Sequence, residues 1–120
     1  MLKKIPRGLI FAGLEVLGSD AAQSATALHD FDRRLPELLE QLRPGDLLIL
    51  TGDHGRDITK ADQVPTREYV PILATGPKLA QGVDLGIRPS AADLGHTIVE
   101  ALQGDQLPMG ESFLDALRAG

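Results

Sequence analysis

The chain has 120 residues, a net charge of −5, 42% hydrophobic and 24% charged residues, 3% aromatics and no cysteine. That length fits one domain, 1–120, with a single modest core. An acidic balance without clustered Lys and Arg excludes binding to nucleic-acid phosphates. No apolar run reaches the ~20 residues of a membrane span, and zero cysteines exclude disulfides, thiolate metal sites and thiol nucleophiles. The basic stretch at Met1 to Arg7 is followed by an apolar segment broken by Gly8, Gly13 and Glu15, unlike a signal peptide, so a cytoplasmic location is expected.

In chain order, Gly8 to Leu17 predicts a first strand, ended by Gly18-Ser19. Asp20, with Gln23 three residues on, predicts a helix start through a capping box. Ala21, Ala25, Leu28, Phe31, Leu35, Leu38 and Leu42 fall on one apolar stripe, Pro36 is expected to kink or split the helix, and Arg43-Pro44-Gly45 to stop it. Leu47 to Leu50 is continuously apolar, the pattern of a strand covered on both faces. Gly55 to Glu68 lacks periodicity and reads as a long surface loop, a kind of segment that often carries function.

Tyr69 to Thr75 predicts another strand, with Pro71 pointing to an edge or bulge, and a short strand is expected around Val83 to Leu85. Ser90 with Asp93 suggests a second capping box, opening a helix that buries Ala91, Leu94, Ile98, Ala101 and Leu102 and ends at a left-handed Gly104. Ser112 to Leu117 predicts a final turn or helix. The alternation of elements predicts an α/β fold, layered, with a mainly parallel sheet and helices packed on it.

Thr51-Gly52-Asp53-His54-Gly55 sets a carboxylate beside an imidazole where an apolar strand ends, the place where ligands gather in open α/β sheets. Without other information, Asp53 reads as a turn-capping carboxylate and His54 as a solvated side chain. His29 and His96 read as surface residues.

Leu48 to Gly55 together with Thr66-Arg67-Glu68-Tyr69-Val70-Pro71-Ile72-Leu73 resembles the C-terminal part of phosphopentomutases, members of the alkaline phosphatase superfamily. Gly8 to Phe11, Phe31 to Leu39, Ala92 to Gly95 and Gly110 to Leu114 are similar to that family in the same order. The resemblance implies a partial alkaline-phosphatase-like core, and an isomerase that interconverts ribose 1-phosphate and ribose 5-phosphate at a phosphorylated Thr beside two metal ions, usually manganese. Met1 and the match of the final segment to the family's C-terminus lead to the expectation of a complete short protein.

The resemblance makes Asp53 and His54 metal ligands and Arg67 a substrate-binding residue. It also exposes departures. The run Ala12 to Asp20 stands where the family carries an Asp-rich stretch and a Gly-His-Arg-Arg-Asp segment, and Val64-Pro65 stands where it carries a ligating Asp-His. The segment with the phosphorylated Thr and the cap domain have no counterpart within the 120 residues, so no catalytic residue is assigned. Two protein ligands hold a divalent cation weakly, and Glu15, Asp57 and Asp62 are the candidates to supplement them.

Two functions follow. One is a catalytically inactive module with structural or interaction duties, self-associating as a homodimer because a partial sheet leaves apolar surface to cover. The other is a minimal metal-dependent phosphoryl-transfer enzyme of mutase or phosphatase type. A phosphosugar or a full-length mutase is a further candidate partner.

Overall fold

The computed structural model describes residues 6–14, 20–57, 59–60 and 64–118. It is a mixed helix and strand structure that divides into two compact units. One comprises Met1–Ile10, Arg43–Asp46 and Thr75–Gly120, the other Phe11–Leu42 and Leu47–Ala74. The described helices include none long and apolar enough to cross a membrane.

The second unit contains α1 (Ala21–Leu39), β1 (Leu48–Thr51), β2 (Gly55–Arg56), β3 (Pro65–Thr66) and all but the last residue of β4 (Ile72–Thr75). Asp20 caps α1 as expected, its Oδ1 accepting from the Gln23 amide at 2.8 Å. The helix is not split at Pro36: it continues to Leu39, and the Glu40 amide donates to the Pro36 carbonyl. Proline removes only its own donor, and here the helix and its exposed flank tolerate that loss.

The inward face of α1 also differs from the expected stripe in its first half. Ser24, Ala27, Phe31, Leu35 and Leu38 are the covered positions, while Ala21, Ala25 and Leu28 are exposed. Steps of four and three back from Phe31 reach Ala27 and Ser24, so small side chains take the inward positions and Leu28 is displaced to the outside.

The expected layered, mainly parallel sheet is not assembled among the described residues. The strands form two two-stranded sheets, β1 beside β4 and β2 antiparallel to β3. Gly8 to Leu14 is not a strand, and Glu15 to Leu17 lie outside the described residues, so the predicted first strand contributes no pairing here. β1 is only half-buried, not covered on both faces: it pairs with β4 alone among the described strands, and Thr51 at its end is exposed. β4 begins after Pro71, in keeping with the limit proline sets on strand pairing, and Val83 to Leu85 is irregular.

The first unit is built on α2 (Ala92–Ala101) and α3 (Leu114–Arg118). Phe113, Leu114 and Leu117 are its buried apolar residues, each no more than 3% exposed. Against them α2 turns Asp93 and Thr97 rather than the expected Leu94 and Ile98, which are half-buried flanks. Thr97 Oγ1 donates to the Asp93 carbonyl at 2.7 Å and accepts from the Phe113 amide at 3.0 Å. Asp93 Oδ1 accepts from the Glu111 amide at 2.9 Å and Oδ2 from Arg88 Nε at 2.8 Å. Asp93 is therefore a hub between two loops and not the return half of a capping box. Ser90 instead holds the helix start through its hydroxyl, which accepts from the Ala92 amide.

The end of α2 follows the Schellman pattern, with the Gly104 amide on the Val99 carbonyl and the Gln103 amide on the Glu100 carbonyl. The left-handed residue is Gln103, at φ 59°, not Gly104. Gly104 is small for another reason: a Cβ there would stand 3.0 Å from Val99 Cγ1.

Replacing Thr97 by Val keeps the shape and leaves the buried Phe113 amide without its acceptor. An unpaired buried donor costs about 1–3 kcal/mol, and thermal unfolding of Thr97→Val should show that loss. Thr97→Ser, which retains the hydroxyl, should lose clearly less; equal losses would mean that the methyl group and not the hydrogen bond is what matters.

Candidate functional site

β1 delivers the chain to Gly52, which passes Val70 so closely that a Cβ would lie 3.1 Å from Val70 Cγ1. The turn that follows presents Asp53 and His54 outward, with side chains 91% and 41% exposed. His54 Nδ1 stands 2.7 Å from the Gly55 carbonyl. A carbonyl only accepts, so Nδ1 carries the proton, and in the neutral ring the lone pair is on Nε2. Asp53 Oδ1 lies 3.6 Å from that Nε2.

Gly55 is buried, and a Cβ on it would meet Glu68 Oε2 at 2.5 Å, so only glycine lets Glu68 lie across β2. The antiparallel register pairs Gly55 with Thr66 and Arg56 with Pro65. Segment 64–66 therefore runs beside the residues that follow His54. The Thr66 hydroxyl, then Glu68's own backbone amide, hold the Glu68 carboxyl below its ordinary value, while the nearby Asp57 charge opposes them.

Asp57 Oδ1 accepts from both the amide and the hydroxyl of Thr59, at 3.0 and 2.6 Å, and Oδ2 lies 4.0 Å from Lys60 Nζ. The Thr59 hydroxyl is the main cause that lowers its carboxyl. This carboxylate thus closes its own turn. Arg67 is exposed, and it forms no ion pair with Glu68 among the described residues. Glu15 and Asp62, the other candidate ligands, lie outside the described residues. Among the described residues no group of three or more His, Asp or Glu side chains converges as a metal site.

Two donors on one divalent ion stand about 3 Å apart when each bond is ~2.1–2.3 Å. The 3.6 Å between Asp53 Oδ1 and His54 Nε2 is closed to that spacing by a small rotation of an exposed carboxylate. A ring fixed through Nδ1 to a backbone carbonyl is also the support that metal-ligating histidines carry. The pair fits two positions of a metal's coordination shell, leaving the rest to water or other groups. The sequence alone does not reveal the tautomer of His54 or the seat of Glu68 on Gly55. A glycine directly after His54, with an acidic residue shortly after the returning strand, is the only trace of the latter.

The chain belongs to the metalloenzyme superfamily, whose model matches residues 18–106. Within it, the chain is homologous to the phosphopentomutases. It is 48% identical over 99 residues to the phosphopentomutase of Desulfitobacterium hafniense, a match covering 82% of this chain and 26% of that protein. To that of Symbiobacterium thermophilum it is 44% identical over 117 residues, covering 92% and 30%. To that of Chelativorans sp. it is 54% identical over 99 residues, covering 82% and 24%. The chain thus spans less than a third of the length of these curated relatives.

Proposed function

We propose that this chain is a phosphopentomutase-related module that does not turn over substrate by itself and serves a structural or interaction role as a homodimer. The observation that carries the reading is the β2–β3 register. Arg56 faces Pro65, so Val64-Pro65 stands opposite the residues just past His54. At this place the resemblance to phosphopentomutases calls for a second metal-binding His. An aliphatic residue and an imino acid offer no donor there. The run Ala12 to Asp20, where further family ligands would stand, supports the same reading.

Asp53 and His54 are then residual ligands that would hold a divalent ion, manganese by family type, loosely. When bound, such an ion polarises a phosphoryl oxygen. The contribution of the chain is to fix the His54 tautomer through Gly55 and to offer Asp53 as a counter-charge. In this proposal the two short sheets are pieces of a layered, mainly parallel, alkaline-phosphatase-like core, and the cysteine-free chain resides in the cytoplasm.

With millimolar manganese, the purified chain should show a melting-temperature rise of no more than a few degrees, which His54→Ala abolishes. Ribose 1-phosphate incubated with it should yield no ribose 5-phosphate above a metal-only blank. Measurable conversion would overturn the inactive reading. It would favour the second reading, a minimal metal-dependent phosphoryl-transfer enzyme using Asp53 and His54, which the outward exposure of both donors supports. Heat on titration with ribose 5-phosphate that is lost in Arg67→Ala would identify a phosphosugar ligand.

A further inference from the structure

The neutral His54 ring has one proton to place and a partner on each side. Nδ1 stands 2.7 Å from the Gly55 carbonyl, and Nε2 stands 3.6 Å from Asp53 Oδ1. A proton on Nδ1 leaves the Nε2 lone pair open beside Asp53, the form that serves a metal. A proton on Nε2 instead closes the ring on the Asp53 carboxylate after a slight turn of that exposed side chain, and no lone pair then faces outward. The surroundings of the Gly55 carbonyl decide between the two forms.

Glu68 makes those surroundings. It is exposed itself, while Gly55 beneath it is buried. A Cβ on Gly55 would stand 2.5 Å from Glu68 Oε2, 2.9 Å from its backbone nitrogen and 3.1 Å from its Cβ, so side chain and backbone of Glu68 both lie on the glycine. Gly55 does not have a left-handed φ, so its bare Cα answers to this cover and not to a turn. A hydrogen bond shielded from water is electrostatically stronger than one that water reaches. The Nδ1–H···O=C bond gains from the cover, whereas the rival bond to Asp53, 91% exposed, does not. We infer that Glu68 is a positioning residue for His54: laid over Gly55, it keeps the ring in the tautomer that presents Nε2. This role rests on the reading of Asp53 and His54 as residual metal ligands and gives one of them its support, of the kind that metal-ligating histidines require.

Long-range proton–nitrogen correlation spectra of the isotope-labelled, metal-free chain read the tautomer directly, at a pH roughly two units above the ordinary histidine value so that the ring is neutral. The signal missing in His54→Ala assigns this ring among the three histidines. The wild type should carry the proton on Nδ1. Glu68→Ala should shift the balance toward the Nε2–H form about 3–10-fold, the worth of one hydrogen bond, with unchanged far-UV circular dichroism. Glu68→Asp, one methylene short of the glycine, should shift it in the same direction and serves if the alanine variant unfolds. Glu68→Gln has the reach of the native side chain and should stay with the wild type. A wild-type ring protonated on Nε2 overturns the inference, as does a balance unmoved by the shorter side chains or moved as far by Glu68→Gln. Manganese tests the reading beneath it: the ion should broaden the His54 signals of the wild type, and Glu68→Ala should need about tenfold more metal for the same broadening. No broadening in the wild type overturns the residual-ligand reading, while the metal-free tautomer still decides the role of Glu68.

Discussion

Phe113→Ala should remove about 3–5 kcal/mol of stability, the range for truncating a buried aromatic to a methyl group. The residue is 3% exposed and sits between α2 and α3, where the unit's other buried apolar residues are Leu114 and Leu117. Among the described residues no larger buried apolar cluster stands behind it to absorb the cavity. The ring also lies 5.7 Å below the Arg88 guanidinium, so the truncation takes away a cation–π contact and exposes the side of a half-buried ion pair. Against a total stability of roughly 5–15 kcal/mol for a domain, such a loss leaves a substantial unfolded population at room temperature. Urea unfolding followed by far-UV circular dichroism measures it. Phe113→Leu should retain more than half of what Ala loses, and a loss below about 1 kcal/mol in Phe113→Ala would show that the α2–α3 contact is not what holds this unit.

The second large effect is expected at Asp93, and it depends on pH. The Glu111 amide, and then Arg88, hold its carboxyl below the ordinary value of 3.8 while burial pushes the other way. A carboxyl whose folded pKa is depressed contributes stability that is fully present above 3.8 and is lost as pH falls through the lower folded value. Wild-type stability should therefore drop steeply below pH 4. Asp93→Asn keeps the size of the side chain but leaves Arg88 without its counter-charge. Its melting temperature at pH 7 should fall by about 5 °C, since breaking this half-buried pair from one side leaves the Arg88 charge uncompensated. Below pH 4 the two proteins should converge. Parallel curves down to pH 2.5 would mean that Asp93 is not the group being titrated. Asp46, lowered mainly by the Arg43 side chain that bonds it, adds a smaller slope of the same sign, which persists in Asp93→Asn.

What the sequence makes legible is what is local. Asp20 caps α1 because a side chain and an amide three residues on suffice for that bond. Asp53 and His54 stand at the end of β1 because an apolar run followed by Thr-Gly-Asp-His-Gly leaves the chain little else to do. Asp93 shows the opposite case. Beside Ser90 it has the spacing of a capping box, but Arg88 and the Glu111 amide offer it better partners, and the second of these is brought near only by tertiary packing. Gly104 and Gln103 exchange roles for a similar reason: the contact with Val99 claims the glycine, and the left-handed conformation passes to its neighbour. The place of Val64-Pro65 opposite Arg56, just past His54, depends on strand register, which no single stretch of sequence encodes.

The buried apolar residues of the α2–α3 unit all fall between positions 113 and 117, whereas the helix they cover ends at Ala101. During synthesis at 5–20 residues per second, α2 leaves the ribosome ~1–3 s before the residues that bury it. For that interval Asp93 and Thr97 face water, where a charge and a hydroxyl are at home, instead of an apolar stripe open to other nascent chains. A polar inner face on this helix thus protects the waiting half of the unit, at a stage of its life when the finished contacts do not yet exist.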